Sequence, residues 1–110
     1  MARDAGLEEV VRDELGDLPG LTGKAMFGGW CWMLNGHLLC GANHDGVMVR
    51  LGKGNDAWAL ELDGITPMAA GTRVMPGWVR VSPERFADHD LARRLLADAQ
   101  RVVASLPPKT

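Results

Sequence analysis

Two cysteines and two histidines, the residue types of many zinc sites, lie close together in the sequence. They are Cys31, His37, Cys40 and His44. The stretch around them is predicted to form antiparallel strands, whose successive side chains point to opposite faces, so that His37 faces away from the cysteines. His44 follows Cys40 by four residues, which is about 13 Å along an extended strand. Because tetrahedral zinc holds each ligand atom within about 2.3 Å, these side chains cannot share one ion, and we predict neither a metal site nor another cofactor.

The two cysteines form a second candidate, a pair of thiols on neighbouring strands. The predicted register places Cys31 directly opposite Cys40, at a position without cross-strand hydrogen bonds, where the Cα atoms lie about 4.5 Å apart. That spacing permits a strained cross-strand disulfide. Reduced thiols are the alternative, and a chain without a secretion signal favours them because the cytoplasm keeps thiols reduced.

No set of nucleophile, base and orienting residue is apparent in the sequence, so we predict no catalytic residues and no enzymatic activity. His89 lies between Asp88 and Asp90, but helix capping explains both aspartates. Residues 52–57 have the Gly-x-Gly-x-x-Ala spacing of a dinucleotide-binding loop. The strand before them belongs to a hairpin and no βαβ unit surrounds them, so a flexible strand-to-helix connection is the better interpretation.

The candidate side chains are positioned by one ribbon of three predicted strands, over residues 25–51. Asn35-Gly36 and Asp45-Gly46 each lie between apolar runs and accept the positive φ that both central positions of a type I′ turn require. Because side chains alternate along a strand, the ribbon has two faces. The face that we assign to the core contains Cys31, Met33, Leu38, Cys40, Ala42, Val47, Val49 and Leu51.

The opposite face of the ribbon is also largely apolar, and it is the candidate interface. Its residues are Trp30, Trp32, Leu34, Leu39, Met48 and Arg50, together with His37. An exposed apolar surface of several hundred Å² would exceed what soluble monomers usually show. Either a helix of the same chain covers this face, or the face binds a protein partner or a second copy of the chain in a homodimer, with the tryptophans at its centre.

The remaining segments are predicted to form helices around the ribbon and a second, shorter pair of strands. Asp4 and Gly16 bound the first helix, and Ser82-Pro83-Glu84 is a typical helix start. The predicted order is α-β-β-β-α-β-β-α, an antiparallel α+β domain. Its segments after the ribbon are a helix over about 55–62, a loop over 65–71, strands over 72–75 and 78–81, a helix from 82 interrupted at 88–90, and a last helix from Asp90 to about 106.

Length and charge indicate one domain, residues 1–110 with a core over about 4–106. A formal charge of −2 and a pI near 5.8 argue against a dedicated nucleic-acid binder. Weak nucleic-acid association through Lys24, Arg50, Arg73 and Arg80 remains an alternative, as does an enzyme or small-molecule binder with a pocket beside His37. No signal peptide or membrane-spanning run is apparent, so we expect a cytoplasmic protein without membrane contact.

Several ordered motifs resemble the TfoX (Sxy) N-terminal domain family, from about Leu7 to the C-terminal end. They are Lys24-Ala25-Met26-Phe27-Gly28-Gly29, the Asn35-Gly36 hairpin, Met48-Val49-Arg50-Leu51, Pro67-Met68 and the run over residues 75–84. The resemblance implies a compact α+β fold of the secretion-chaperone-like type and supplies no catalytic residues. In the motif Met26, Phe27, Gly28, Gly29, the two glycines are predicted to enter a strand and to permit a bulge, a close backbone or the packing of a helix.

The same resemblance implies a regulatory role. Full-length members of the family act as competence regulators and co-activators with the cyclic-AMP receptor protein, and they carry a second, helical C-terminal domain. We expect this chain to be a stand-alone N-terminal domain. Its expected role is therefore that of a non-enzymatic regulatory or adaptor domain that binds protein.

Overall fold

The computed structural model describes residues 4–26, 28–70 and 72–107 as four helices around one six-stranded sheet. The helices are α1 (Ala5–Leu15), α2 (Ala57–Leu60), α3 (Pro83–Phe86) and α4 (His89–Ala104). The strands are β1 (Leu21–Met26), β2 (Gly29–Leu34), β3 (His37–Asn43), β4 (Gly46–Arg50), β5 (Ile65–Ala70) and β6 (Arg73–Val81). All pairs are antiparallel, in the order β1-β2-β3-β4-β6-β5, which confirms the predicted α+β class.

Both edges of the sheet are strands that the sequence pattern did not reveal. β1 lies mostly before the predicted ribbon, which begins at residue 25. Most of its residues are exposed, and its sequence lacks the apolar alternation by which strands are recognised. β5 occupies the predicted loop over 65–71, of which Gly71 lies outside the described residues. Its Pro67 is tolerated because an edge strand needs hydrogen-bond donors on one side only. The predicted break at Pro76-Gly77 is wrong, since β6 runs through it.

The helices begin at capping residues of the predicted types, but the cap of α4 lies two residues earlier than predicted. The carboxylate of Asp4 accepts a hydrogen bond from the backbone N–H three residues on, at 3.1 Å, and Ser82 does the same for α3 at 3.2 Å. The predicted interruption is present, but it lies at residues 87–88 instead of 88–90, and Asp88 rather than Asp90 caps α4. Its Oδ1 accepts from the N–H groups of Asp90 and Leu91 at 3.1 and 3.3 Å. Each cap satisfies donors that the first turn of a helix leaves unpaired.

The sequence predicts that Glu8, Glu9, Arg12 and Asp13 form a solvated face of α1, but one carboxylate of this face is buried. Glu8 is only 2% exposed, and Arg12 donates to its Oε1 from Nη2 at 3.3 Å. The prediction that Glu8 lies in water with its neighbours is therefore wrong.

The first hairpin turns where the sequence predicts. Asn35 and Gly36 have φ values of 55° and 85°, as a type I′ turn requires. Leu34 pairs with His37 and Met33 with Leu38, in the predicted register.

A β-bulge then changes the register of this hairpin. Trp32 pairs with Cys40 instead of Leu39, and Cys31 pairs with Gly41, with the irregularity between Trp32 and Met33. Leu39 is the extra residue, and a bulge of this kind places two successive residues opposite one. Compared with the predicted register, the bulge therefore reverses the faces of β2 relative to β4 and to the part of β3 after Leu39.

The second hairpin turns one residue earlier than predicted. Asn43 pairs with Gly46, so His44 and Asp45 form the loop, and Ala42 pairs with Val47 instead of Val49. The amide oxygen of Asn43 accepts from the Asp45 N–H at 2.8 Å, which is the geometry of an Asx turn. The resulting shift is two residues, and a shift of two leaves the faces of β4 as predicted.

The helices pack on one face of the sheet, here called the inner face. Its strand residues share one core with residues from all four helices. They are Trp32, Leu34, Leu39, Cys40, Ala42, Val47, Val49, Ile65, Val79 and Val81. None of the helices in the described residues is both long and apolar enough to cross a lipid bilayer.

Two predicted sets of side chains are corrected by this arrangement. Trp32, Leu34 and Leu39, predicted at the candidate interface, are buried beneath the chain's own helices, and Trp30 is half-buried against the same core. Cys31, which was assigned to the core face with Met33 and Leu38, lies on the opposite side of the sheet. The physical reason is the bulge, which reverses β2 relative to β4. Of the predicted interface residues, Met48 and Arg50 keep the predicted face.

Candidate functional site

A continuous row of side chains crosses all six strands on the face away from the helices, here called the outer face. Directly paired residues lie on the same face of a sheet. The pairing runs from β1 to β5 through Lys24, Cys31, Gly41, Met48, Arg80 and Thr66. Basic residues therefore stand towards both ends of the row, with sulfur-bearing side chains between them.

Gly41 makes a depression in the middle of this row. A Cβ atom at Gly41 would lie 2.7 Å from the Cys31 sulfur and 3.0 Å from the Met48 methyl carbon, closer than such atoms normally approach. The side chains of Cys31 and Met48 thus use the space above the glycine.

The depression is part of a cavity of about 270 Å³. All of its described lining residues come from strands: Met26, Cys31, Leu38, Gly41, Ala42, Asn43, Gly46, Met48, Met68, Ala69, Met75 and Arg80. Met68 and Met75 reach it from the β5–β6 hairpin, so this hairpin bounds one side. Four of the six methionines of the chain line this one cavity.

Arg80 is the charged residue among the described lining residues. Its Nη1 lies 3.3 Å from Oδ2 of Asp45, and its Nη2 lies 3.6 Å from the sulfur of Met68. The side chains of Arg80 and Asp45 are 35% and 51% exposed. An ion pair this exposed stabilises a fold by at most about 1 kcal/mol.

The other outer-face arginine is held by an aromatic ring. The guanidinium of Arg50 lies 5.9 Å from the centre of the Trp78 ring, and its Nη1 donates to the carbonyl oxygen of Leu38 at 3.4 Å. A cation over an aromatic face is attracted by the ring's electron density.

The predicted cross-strand pair of Cys31 and Cys40 does not form. Both cysteines are free thiols, and the bulge sends Cys31 to the outer face and Cys40 to the inner face. Burial raises the pKa of Cys31 to about 11, and it raises the pKa of Cys40 as well, with a smaller contribution from Cys31. Both side chains are therefore neutral at physiological pH.

We expect two thiols to react with a chromogenic disulfide reagent in denaturant without any reductant, and a Cys31→Ser variant to show one. In the native protein at pH 8, reaction should be slow, because a pKa of about 11 leaves on the order of one Cys31 in a thousand as thiolate. Thiols that appear in the denatured protein only after a reductant is added would contradict the assignment.

The histidines lie apart from one another. Nε2 of His37 donates to the carbonyl oxygen of Pro107 at 2.6 Å, so this histidine contacts the C-terminal segment and does not line the cavity. Nε2 of His44 lies 3.2 Å from Oδ1 of Asp45, and Nδ1 of His89 lies 3.8 Å from Oε2 of Glu14 in α1. Within the described ranges, no three His, Cys, Asp or Glu side chains are grouped so that they could hold a metal ion.

The Met-Phe-Gly-Gly motif forms the connection between β1 and β2. Met26 pairs with Gly29, Gly28 has a φ of 70°, and Phe27 lies outside the described residues. A Cβ atom at Gly29 would overlap the carbonyl oxygen of Ala42 on β3. Of the predicted uses of these glycines, the close approach of another backbone is confirmed, and at Gly29 that backbone is a strand and not a helix.

Sequence reasoning missed the cavity because its residues come from distant parts of the chain. Met68 lay in a predicted loop, and Arg80 was considered only for its charge. The available signal was the number of methionines, six in 110 residues, but their convergence depends on the β5–β6 hairpin.

Comparison with known families gives a match to the model described as TfoX N-terminal domain, over residues 13–103. This range includes all six strands and the whole described lining of the cavity. No curated protein and no solved structure gives a significant match to the chain.

Proposed function

Since this chain belongs to the TfoX N-terminal domain family, we propose that it is a non-enzymatic regulatory or adaptor domain that binds a protein partner through the outer face of its sheet. The role that fits the family is transcription or competence regulation. The observation that carries the proposal is the methionine-lined cavity in the outer face, away from the helices that cover the inner face.

The chemistry of this face suits contact with protein. Methionine side chains are flexible and polarizable, and they adapt to partners of different shape. The half-buried arginines Arg50 and Arg80 flank the apolar centre, and arginine is enriched where interfaces concentrate their binding energy. The partner that fits is a segment with an apolar side chain for the cavity and a carboxylate for the arginines.

A pair of neighbouring positions in β6 offers a matched test. Met75 lines the cavity, whereas Val74 is 58% exposed and does not line it. Met75→Glu therefore places a new charge in the lining of the cavity, and Val74→Glu places the same charge on the preceding residue, outside that lining. We expect affinity capture from the native cell to lose the partner with Met75→Glu and to keep it with Val74→Glu.

The controls in this capture experiment separate the other possibilities. Thermal unfolding of both variants checks that each is folded. Light scattering of the purified chain tells a second copy from a different protein. Equal capture by wild type and both variants would remove the outer face as the interface, and turnover of a substrate by the purified chain would refute the non-enzymatic role.

A second candidate, weak nucleic-acid association, is favoured by the placement of basic residues. Lys24 and Arg80 belong to the outer-face row, and Arg50 follows Met48 by two residues and therefore shares its face. Phosphate contacts are lost steeply with salt. Captured material that disappears on nuclease treatment and with added salt would support this candidate instead of a protein partner.

A further inference from the structure

We propose that the cavity of the outer face binds a small amphipathic carboxylate, with its apolar tail among the methionines and its carboxylate on Arg80. This inference does not depend on the protein partner proposed above, because it concerns the purified chain and a small molecule.

The lining favours an apolar tail. Thioether, thiol and aliphatic groups form most of the cavity, and Cys31 contributes a neutral thiol. Ligand sites of this kind are mainly apolar, with a small number of polar groups that orient the ligand. The volume of about 270 Å³ is near the lower limit of such sites, about 300 Å³, which favours a short chain or a single ring.

The charge of the cavity lining favours a ligand with an anionic head group. Arg80 is the charged group in the described lining, and its guanidinium presents donors in a planar fork that matches a carboxylate. A cationic head group would be repelled by this guanidinium, and the carboxylate of Asp45 is already paired with Arg80.

The ion pair between Asp45 and Arg80 favours a carboxylate as the head group. Its Oδ2 lies 3.3 Å from Nη1 of Arg80, so a carboxylate already occupies part of the position that a ligand's head group would take. Because both side chains are partly exposed to water, this ion pair is easily exchanged. When a ligand displaces Asp45 from Arg80, Asp45 can keep its contact with His44, whose Nε2 lies 3.2 Å from Oδ1 of Asp45.

The test compares three ligands that share an eight-carbon chain: octanoate, octanol and octylammonium. Acetate represents the carboxylate head group alone. We expect octanoate to bind, octanol to bind up to about fivefold more weakly, and acetate and octylammonium to bind least. The fivefold figure corresponds to the roughly 1 kcal/mol of a partly exposed ion pair.

Two variants assign the head group. Arg80→Gln should abolish the preference for octanoate over octanol. Asp45→Asn should strengthen octanoate binding by about two- to fivefold, because it removes the competing carboxylate. A merely structural role for these residues would change octanoate and octanol binding equally.

Methionine methyl resonances locate the ligand. With ¹³C-methyl methionine, octanoate should shift signals among the four methionines that line the cavity, Met26, Met48, Met68 and Met75. Met33 pairs with the lining residue Leu38 without lining the cavity itself, so it is the internal control. Failure of octanoate to bind at millimolar concentration, equal binding of octanol, or shifts confined to Met33 would each overturn the proposal. A protein partner found in cells would be unaffected by these outcomes.

Discussion

Replacing Trp32 by alanine is expected to lower the free energy of unfolding by about 3–5 kcal/mol, the range for removing a large aromatic side chain from a core. Trp32 is 4% exposed and shares the core with Cys40 and Val49, which lie on the next two strands of the sheet. Small domains are typically stable by about 5–15 kcal/mol, so the loss would be a large part of the total. Urea unfolding followed by circular dichroism measures it without depending on tryptophan fluorescence.

Trp30→Ala is the matched control for this result. Trp30 is only half-buried and lies at the border of the core, so we expect a clearly smaller loss. The comparison of the two variants decides whether the tryptophans belong to the core or to an interface, which the sequence left open. A Trp32→Ala protein of unchanged stability but altered mass in solution would return Trp32 to an interface and contradict its place in the core.

Gly29→Ala should have the other large effect, a loss of roughly 3 kcal/mol or more, at the upper end for single substitutions. The added methyl would overlap the carbonyl oxygen of Ala42 and lie 2.9 Å from its carbon and 2.8 Å from the Cβ of Asn43. These are mainly backbone atoms of β3, so relief requires separating β2 from β3 next to the Trp30–Ala42 pair. The midpoint of thermal or urea unfolding measures the loss.

Gly6→Ala provides a control of opposite sign. Gly6 lies in α1, and a Cβ there would meet only the Asp4 carboxylate, at an ordinary 3.4 Å. Alanine in a helix is favoured over glycine by about 0.5–1 kcal/mol, so this variant should be slightly more stable than the wild type. Equal stability of the Gly29 and Gly6 variants would show that β2 and β3 are not as close at Gly29 as the structure places them.

Local chemistry was predictable from short segments. The caps at Asp4 and Ser82 and the turn at Asn35-Gly36 each depend on a few consecutive residues, and the structure contains all three. The edge strands β1 and β5 were not predictable in this way. β1 has little apolar alternation and β5 contains a proline, so only their pairing with β2 and β6 makes them strands.

The family, the α+β class, the first caps of α1 and α3 and the position of the first turn could all be read from the sequence, because each follows from neighbouring residues or an ordered set of motifs. The tertiary structure decided which face of β2 is buried. Both faces of that strand are apolar, so hydrophobic pattern alone could not choose between them. The bulge at Leu39 made the choice. It allows the helices to cover Trp32 while Cys31 turns outward, and so creates the methionine-lined cavity that no short segment of the chain encodes.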